Sequence, residues 1–228
     1  MVTEAKIKEI FSSIQGEGSV VGYKQIFVRF CGCNLNCNYC DTDFSENDSQ
    51  IYTPLTLKEK IFSDFDVMAA HSISFTGGEP LLWVDFLNEF ISLIKNESDI
   101  KIYLETNATL TKPLLQIKGN LDIIAADIKL SSATGRDTFS LHKSFLENCG
   151  GVQTFAKIVF DENITDDEID KCVDMVKNSE IELILQPKMY DDKVCVSSEF
   201  CESVMDKFLK KYKYVRLIPQ THKFLNIR

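Results

Sequence analysis

The chain has 228 residues, of which 44% are hydrophobic and 26% are charged. This composition is ordinary for a soluble globular protein and excludes collagen-like, disordered and disulfide-stapled chains. The 25 basic and 34 acidic residues leave a formal net charge of −9, which argues against a non-specific binder of nucleic acid or anionic membranes. No stretch resembles a linker, so we expect one domain over residues 1–228.

The sequence lacks the signals that direct a chain to a membrane. It contains no run of about 18 apolar residues, and its N-terminus has no apolar core like that of a signal peptide. We therefore expect a cytoplasmic protein with neither membrane nor nucleic-acid partners. In that reducing compartment the eight cysteines are thiols, and some of them are candidate metal ligands.

Strand-like and helix-like segments alternate along the chain. The predicted strands are Lys24–Phe30, Ser72–Phe75, Lys101–Leu104, Asp122–Ala126, Thr154–Phe160, Glu182–Gln186 and Tyr214–Ile218. Several are apolar almost throughout, as in a parallel sheet that is covered on both faces. Seven strands are slightly fewer than the eight of a complete barrel. We therefore predict an α/β fold, a modified and compact partial (β/α) barrel, with its chemistry at the C-terminal strand ends.

Two helix starts are predicted from capping boxes, in which a Thr and a Glu three residues later bond each other's backbone. The first box is Thr56–Glu59 and the second is Thr165–Glu168, each followed by apolar residues on one helix face. Apolar spacing predicts two more helices, around Phe86–Ile94 and around Phe200–Phe208.

A cysteine cluster directly follows the predicted strand that ends at Phe30; its members are Cys31, Cys33, Cys37 and Cys40. A structural zinc site needs four closed ligands, usually in two pairs, and no second pair follows at zinc-finger distance. The spacing of Cys33, Cys37 and Cys40 instead suits three irons of a 4Fe–4S cluster, whose fourth iron stays open for chemistry. Cys31 is an alternative fourth ligand, since it shares a face of the strand end with Cys33.

The spacing Cys33-x-x-x-Cys37-x-x-Cys40 resembles the signature of the radical S-adenosylmethionine (SAM) superfamily. Tyr39 matches the aromatic residue that usually precedes the last cysteine of that signature. The resemblance implies a partial barrel of the radical SAM type, in which the open iron binds the amino and carboxylate groups of SAM. It also implies that one electron from the reduced cluster cleaves SAM and releases a 5′-deoxyadenosyl radical.

Four further motifs follow predicted strands and resemble the SAM-binding stretches of the superfamily. They are Thr76-Gly-Gly-Glu-Pro80, Glu105-Thr-Asn107, Asp127-Ile-Lys129 and Gln186-Pro187. Glycine pairs and polar residues also occur in plain turns at strand ends, so each motif alone is a weak signal. Their common position at C-terminal strand ends, as one shared pocket requires, is the stronger argument.

Motifs near the two ends of the chain indicate one family within the superfamily. By composition Phe11–Gly18 is a glycine-containing turn ahead of a strand, but SIQGEG at 13–18 and RLIPQTHKFLNIR at 216–228 are similar to the 7-carboxy-7-deazaguanine synthases. The resemblance covers nearly the whole chain. It implies a lyase that turns 6-carboxy-5,6,7,8-tetrahydropterin into 7-carboxy-7-deazaguanine and ammonia, by hydrogen abstraction at C6 and ring contraction. It also implies deazapurine or queuosine synthesis, a homodimer, Mg²⁺ and an external electron donor of the flavodoxin or ferredoxin type.

The resemblance implies which residues of this sequence bind the cluster, Mg²⁺, SAM and the substrate. The cluster ligands are expected to be Cys33, Cys37 and Cys40, and the Mg²⁺ ligand is expected to be Thr42. The residues expected to contact SAM are Tyr39, Cys40, Asp41, Gly78, Glu105, Asp127, Ile128, Lys129 and Gln186. The residues expected to contact the substrate are Ile14, Gln15, Gly16, Glu17, Arg29, Thr76, His222 and Arg228, the last through its main-chain carboxylate.

These residue types suit their expected ligands. A pterin edge offers amide-like donors and acceptors, which Gln15 and Glu17 complement in a dry pocket. Arg29 can hold the substrate carboxylate with two parallel hydrogen bonds. The neutral hydroxyl of Thr42 suits a hard cation that keeps water or substrate oxygens as its other ligands.

Two alternatives stay open at this point. Asp127-Ile-Lys129 stands where the synthases often have Ser-Pro-Lys, and it is more typical of glycyl-radical-enzyme activating enzymes, which act on a protein partner. The other alternative is a zinc-stabilised binding module that uses all four clustered cysteines. Turnover of the carboxypterin without a protein substrate excludes the first, and a brown protein absorbing near roughly 400 nm excludes the second.

Overall fold

The computed structural model describes residues 3–37, 40 and 43–228, which form an α/β fold. The strands are β1 (Ala5–Ile14), β2 (Lys24–Phe30), β3 (Gln50–Tyr52), β4 (Ser72–Gly77), β5 (Lys101–Thr106), β6 (Ile123–Ile128), β7 (Gln153–Phe160), β8 (Glu182–Pro187), β9 (Met189–Tyr190), β10 (Lys193–Val194) and β11 (Val215–Leu217). The helices are α1 (Pro54–Asp64), α2 (Val84–Lys95), α3 (Thr111–Ile117), α4 (Ser131–Thr134), α5 (Phe139–Glu147), α6 (Asp166–Val176), α7 (Ser198–Leu209) and α8 (Thr221–Leu225).

Most of the strands belong to one large sheet. Over the described residues it has nine strands in the order β11-β8-β7-β6-β5-β4-β2-β1-β3, and β9 and β10 form a separate hairpin. The strands from β11 to β2 run parallel, whereas β1 runs antiparallel to both β2 and β3. These parallel strands are the seven that the sequence predicts. The open, mostly parallel sheet confirms the predicted partial barrel.

One face of the sheet is covered by the helices α1, α2, α3, α5, α6 and α7. Successive side chains of a strand point to opposite faces, and on β2 Ile26, Val28 and Phe30 face the helices with no exposed surface. Phe30 packs edge-on against Phe86 of α2, with the ring centroids 6.1 Å apart. A fully buried side chain of this size contributes about 1.5–3 kcal/mol, so repetition of this pattern along the sheet supplies the main core.

The opposite face of the sheet carries a smaller apolar cluster and the polar residues of the strands. Tyr103, Phe155 and Ile184 pack there against Val20. The polar residues on this face are Gln25, Arg29, Thr76, Glu105, Asp127, Lys157 and Gln186, which alternate with core residues along their strands. The strand register places Arg29 beside Thr76 and Asp127 beside Lys157. This face therefore has the polar composition of a ligand-binding site.

The strand β1 is absent from the sequence prediction. Its first half buries Ala5 and Ile7 on the helical side, but the register with β2 shifts between Ile7 and Glu9. The extra residue moves Phe11 to the other face, where it stacks on Phe27 with centroids 5.0 Å apart. The shift breaks the two-residue periodicity that marks a strand, so reading Phe11–Gly18 as a turn is wrong for its first four residues.

Of the two predicted capping boxes, one is confirmed and one is wrong. The Thr165–Glu168 box is confirmed, since each residue's side chain accepts a hydrogen bond from the other's backbone. The Thr56–Glu59 box is wrong, because α1 begins three residues earlier, with Thr53 as its cap and Pro54 in its first turn. Proline is preorganised for a first helical position, and this outweighs the Thr–Glu spacing. The helices around Phe86–Ile94 and Phe200–Phe208 are confirmed as α2 and α7.

Candidate active site

A cavity of about 1490 Å³ opens on the sheet face that the helices leave free. Its floor is formed by β2 and by β4 to β8, and its walls by the cysteine loop, the turn after β1 and the last residues of the chain. Ligands of open parallel sheets gather at the C-terminal strand ends, where this cavity lies. Since pockets for one small molecule measure about 300–1,000 Å³, there is room for two ligands.

The cysteine loop closes one end of the cavity. Cys33, Cys37 and Cys40 line it, whereas Cys31 is fully buried and its thiol donates to the carbonyl oxygen of Ser45 at 3.4 Å. Burial raises the pKa of the Cys33 and Cys37 thiols. Within residues 3–37, 40 and 43–228, no three His, Cys, Asp or Glu side chains group around a single ion.

The turn after β4 packs directly against the cysteine loop. A methyl group built on Gly78 would lie 1.8 Å from the carbonyl oxygen of Gly32, so only glycine fits there. Gly77 has a φ of +113°, a conformation that side chains rarely adopt. The amide of Glu79 donates to Gly32 at 2.8 Å and completes the junction. This close contact explains the glycine pair of the Thr76–Pro80 motif.

The Glu79 side chain serves the fold and not the cavity. It is fully buried and accepts hydrogen bonds from the Leu81 amide at 3.0 Å, the Thr106 hydroxyl at 2.8 Å and the Asn107 amide at 2.8 Å. Burial raises its pKa to about 7 despite these three donors. Glu79 therefore ties the end of β5 to the turn after β4.

The loop after β5 binds the cysteine loop from the other side. The side-chain amide of Asn107 donates to Asn34 at 2.8 Å and contacts the Cys33 sulfur at 3.8 Å. The Thr109 hydroxyl accepts from Asn34 at 2.9 Å and donates to Asn107 at 2.5 Å. These contacts fix Cys33 relative to the strand ends.

His142 joins two of the loops that line the site, although it lies behind the cavity. Its Nε2 accepts from the Lys129 amide at 3.1 Å, and its Nδ1 lies 3.2 Å from the Ala108 carbonyl, which assigns the proton to Nδ1. Burial lowers its pKa to about 4, so the ring is neutral near pH 7. His142 thus sets the spacing between the Asp127–Lys129 stretch and the loop after β5.

Four charged residues form a network across the cavity floor. Lys157 on β7 is paired with Glu17 and lies 3.3 Å from Asp127, which also pairs with Lys129 at 2.8 Å. Burial would raise the pKa of Glu17, but Lys157 holds it below its usual value. Burial likewise opposes ionisation of Asp127, and Lys129 and Lys157 together lower its pKa. Glu17 and Asp127 are therefore ionised near neutral pH, and the same contacts raise the pKa of Lys157.

A chain of polar contacts runs from the turn after β1 to β5. The Gln15 amide donates to Glu105 at 2.8 Å and to Gln25 at 3.0 Å, and its oxygen accepts from the Glu17 amide at 3.0 Å. The Thr76 hydroxyl donates to the other oxygen of Glu105 at 2.6 Å. Glu105 therefore holds Gln15 and Thr76 in fixed positions on one side of the cavity.

Arg29 and Arg228 lie together at the edge of the cavity near β1. Glu9 accepts from the Arg29 Nε at 2.6 Å and also pairs with Arg228. The guanidinium carbons lie over the Phe11 ring, at 5.6 Å for Arg29 and 4.7 Å for Arg228. Two cations share one carboxylate here, so this edge suits an anionic group of a ligand.

The last residues of the chain form a wall of the cavity. The Thr221 amide donates to the Gly16 carbonyl at 2.9 Å. A methyl group built on Gly16 would lie 2.2 Å from Nδ1 of His222, so glycine allows the helix α8 to approach the turn. The Ser13 hydroxyl donates to the main-chain oxygen of Arg228. These contacts place His222 and Arg228 beside the turn after β1.

The residues present fit a cluster and a nucleoside-like ligand. Among the described residues, four buried side-chain oxygens have no hydrogen-bond partner: Ser74 Oγ, Asp127 Oδ1, Ser131 Oγ and Gln186 Oε1. Of these residues, Asp127 and Gln186 line the cavity. An unpaired buried acceptor costs about 1–3 kcal/mol, so the oxygens of Asp127 and Gln186 suit the hydroxyl or ammonium donors of a ligand. SAM carries both donor types, and three thiols stand at the end of the same cavity.

Most of the predicted site residues converge on this cavity. Its lining includes Ile14, Gln15, Gly16, Glu17, Arg29, Cys33, Cys37, Cys40, Thr76, Gly78, Glu105, Asp127, Lys129, Gln186, His222 and Arg228. The side chain of Ile128 is an exception, because it packs in the core on the helical face and leaves only its backbone near the site. Tyr39, Asp41 and Thr42 lie outside the described residues.

Lys157, Glu9 and His142 are functional residues that the sequence analysis does not single out. Lys157 is a charged residue at an inward position of a predicted strand, which is a signal that alternation could have given. Glu9 lies beyond the register shift of β1, and His142 is one polar residue on an otherwise ordinary helix.

The comparisons with known proteins agree with this geometry. The model of the radical SAM superfamily matches residues 27–181. The 7-carboxy-7-deazaguanine synthase of Geobacter sulfurreducens is 34% identical over 244 residues and covers 97% of each chain. The chain belongs to the 7-carboxy-7-deazaguanine synthase family of radical SAM enzymes. The synthase of Archaeoglobus fulgidus is 35% identical over 242 residues, covering 98% of this chain and 99% of the relative.

The fold of this synthase family is also seen in a solved structure. The crystal structure of QueE from Escherichia coli superposes with a TM-score of 0.68, covering 96% of this chain and 95% of that chain at 19% identity. Membership of the radical SAM family brings a 4Fe–4S cluster and SAM as cofactors. Each helix in the described part of the chain is too short or too polar to cross a membrane.

Proposed function

We infer that this chain is a radical SAM lyase that converts 6-carboxy-5,6,7,8-tetrahydropterin into 7-carboxy-7-deazaguanine and ammonia. This reaction serves the synthesis of queuosine and other deazapurines. The observation that carries the inference is the match to synthases of that name over 97% and 98% of this chain. Nothing in these matches favours the activation of a glycyl-radical enzyme, and membership of the radical SAM family removes the zinc module.

The cofactor end of the cavity would be the end near the cysteines. We propose that Cys33, Cys37 and Cys40 hold the cluster, and that SAM lies across the strand ends at Gly78, Glu105, Asp127–Lys129 and Gln186. When bound, the cluster would supply the electron that cleaves SAM, and SAM would supply the radical chemistry at C6 of the pterin. The unpaired oxygens of Asp127 and Gln186 would accept hydrogen bonds from SAM, and Tyr39 and Asp41 are expected to contribute beside Cys40.

The substrate end would be the wall built from both ends of the chain. An ionised Glu17 accepts hydrogen bonds from N–H groups of the pterin ring, and Gln15 offers a donor and an acceptor next to it. Because Glu9 holds Arg29 at Nε, the terminal nitrogens of Arg29 would serve the substrate carboxylate. Ile14, Gly16, Thr76, His222 and the main chain of Arg228 would complete the pocket.

Several features of the proposal rest on the family resemblance alone. We propose that Thr42 binds Mg²⁺ beside the substrate carboxylate, that the chain acts as a homodimer, and that a flavodoxin or ferredoxin reduces the cluster. We also propose that residues 1–228 act as one domain in the cytoplasm. All strands of the main sheet, from Ala5 to Leu217, support the single domain.

An anaerobic assay tests the function. Protein with a reconstituted cluster, a reductant, SAM, Mg²⁺ and the carboxypterin should give 7-carboxy-7-deazaguanine and ammonia, detected by mass spectrometry and an ammonia assay. Omitting SAM and replacing Cys33 with Ser are the controls, and both should abolish the product. If SAM is cleaved but the pterin is never consumed, the proposed reaction is wrong.

A further inference from the structure

Lys157 is a buried cation of the cavity floor, and none of the cofactor or substrate motifs contains it. Its ammonium pairs with Glu17, which lies 140 positions earlier in the chain, and the two side chains are each only 16% exposed. It also lies 3.3 Å from Asp127. Lys157 therefore touches one residue from the substrate end and one from the cofactor end.

Charged and polar residues from several neighbouring elements surround the Lys157–Glu17 ion pair. Asp127 and Lys129 lie at the end of β6, and Glu105 lies on β5. On the C-terminal wall, Gln220 donates to Glu17 at 2.7 Å and His222 faces the same carboxylate. Glu17 is thus buried against Lys157, Gln220 and His222, and its ion pair is with Lys157.

We propose that Lys157 is a positioning residue for pterin recognition, which keeps Glu17 ionised and aimed into the cavity so that it accepts N–H groups of the ligand. This inference rests on the proposed function, in which Glu17 contacts the pterin. A carboxylate only accepts hydrogen bonds, whereas a protonated carboxyl also presents a donor. The Lys157 charge would therefore set the preference for a ring edge that presents N–H groups.

The physical reason is the balance at Glu17. Burial opposes ionisation of this carboxyl, and Lys157, followed by Gln220 and His222, holds the pKa of Glu17 below its usual value. Without the ammonium, the pKa of Glu17 should rise, so that the carboxyl takes up a proton more readily. Raising the pH would remove that proton and restore the acceptor.

Ligand binding at several pH values tests this role. The reconstituted protein with SAM is titrated anaerobically with 6-carboxypterin, the oxidised and fluorescent analogue of the substrate, from about pH 6 to about pH 9. Lys157→Met removes the charge and Lys157→Arg retains it. Lys177→Met, at the exposed residue that follows the last turn of α6, is the control. At each pH, the Kd of the variant is divided by the Kd of the wild type. Titration of the ligand itself changes both values by the same factor, so it does not affect this ratio.

We expect Lys157→Met to bind roughly tenfold more weakly at neutral pH, as expected when a hydrogen bond to a charged group is lost. This loss should shrink as the pH rises, and Lys157→Arg should recover most of the binding. Unchanged binding in Lys157→Met, a loss that does not vary with pH, or a Lys157→Arg variant as weak as Lys157→Met would each overturn the proposal.

A second set of variants keeps the test valid if Lys157→Met folds poorly. Glu17→Gln cannot titrate at this position, so its ligand affinity relative to wild type should not recover at high pH. The double variant Glu17→Gln/Lys157→Gln should bind the ligand only slightly more weakly than Glu17→Gln alone. Additive losses would contradict the proposed coupling. Failure of the proposed function is distinguished separately, because wild-type protein would then neither bind 6-carboxypterin nor consume the carboxypterin.

Discussion

At the scale of single residues, burial and hydrogen bonding decide which motif residues face a ligand. Glu79 belongs to the glycine-rich motif, yet all of its contacts described above are with the protein's own donors. Glu105 also spans two elements, because it accepts from Gln15 and Thr76. A carboxylate in a cofactor motif is therefore not always a ligand contact.

Replacing Glu79 with Gln should lower the free energy of unfolding by about 2 kcal/mol, because one carboxylate oxygen becomes an NH₂ group that faces the Leu81, Thr106 or Asn107 donors. Urea unfolding of the cluster-free protein under reducing conditions measures the change. Glu97→Gln on the surface is the matched control and should change stability little. Equal stability of the two variants would show that the buried network contributes nothing.

His142 predicts a pH dependence of stability. Its pKa is about 4 in the folded protein against 6.5 normally, so the unfolded chain binds a proton in this range that the folded chain does not. The contribution is complete above pH 6.5 and is lost as the pH falls toward about 4, by up to about 3 kcal/mol.

Removing the imidazole tests this prediction. His142→Leu should unfold more easily at neutral pH, because the Lys129 amide and the Ala108 carbonyl lose their partner. Its stability should also vary less than that of the wild type between pH 6.5 and about 4. Parallel stability curves for the two proteins would contradict the assignment of a neutral buried imidazole.

The residues that the sequence predicts best are those in motifs. The cavity brings together Cys33, Gly78 and Glu17 from separate motifs, as the resemblance implies. Lys157 has no motif around it, and its role depends on a contact with Glu17 that only the folded chain creates. Cys31 was left open because strand geometry alone could not exclude it, and the fold buries it against Ser45.

At the scale of elements, the site depends on turns that bring separate strands into contact. The turn after β4 touches the cysteine loop through Gly78 and Gly32, at a distance that excludes a side chain. The strands β2, β4 to β8 and β11 were predictable because each is a short, largely apolar run between helical segments. The start of α1 and the whole of β1 were not, since a proline and a register shift override those patterns.

Gly78→Ala should therefore displace the cysteine loop. We expect a large loss of bound iron and of SAM cleavage, because a methyl group 1.8 Å from the Gly32 oxygen forces the backbone apart. Gly119→Ala is the matched control, since nothing lies within 4 Å of its added methyl group. Iron content after anaerobic reconstitution and circular dichroism separate loss of the site from loss of the fold. A Gly78→Ala protein with full iron content would refute the close contact.

At the scale of the whole molecule, one open sheet gathers residues from nearly the full length of the chain. Ser13 and Arg228 meet at one edge of the cavity, and the cysteine loop stands at another. The parallel order of the strands was predictable from their alternation with helices. The closure of the cavity by both ends of the chain was expected only from the resemblance, because no local pattern encodes a contact across 215 positions.

The central claim is that three cysteines of this cavity hold the cluster with one iron left open for SAM, and that Cys31 stands apart. Formation of 5′-deoxyadenosine from SAM under reducing, anaerobic conditions tests it most directly when Cys31→Ser and Cys33→Ser are compared. We predict that Cys31→Ser keeps its iron and cleaves SAM at a rate near that of the wild type, whereas Cys33→Ser loses both. Cleavage that disappears in Cys31→Ser and persists in Cys33→Ser would contradict the account.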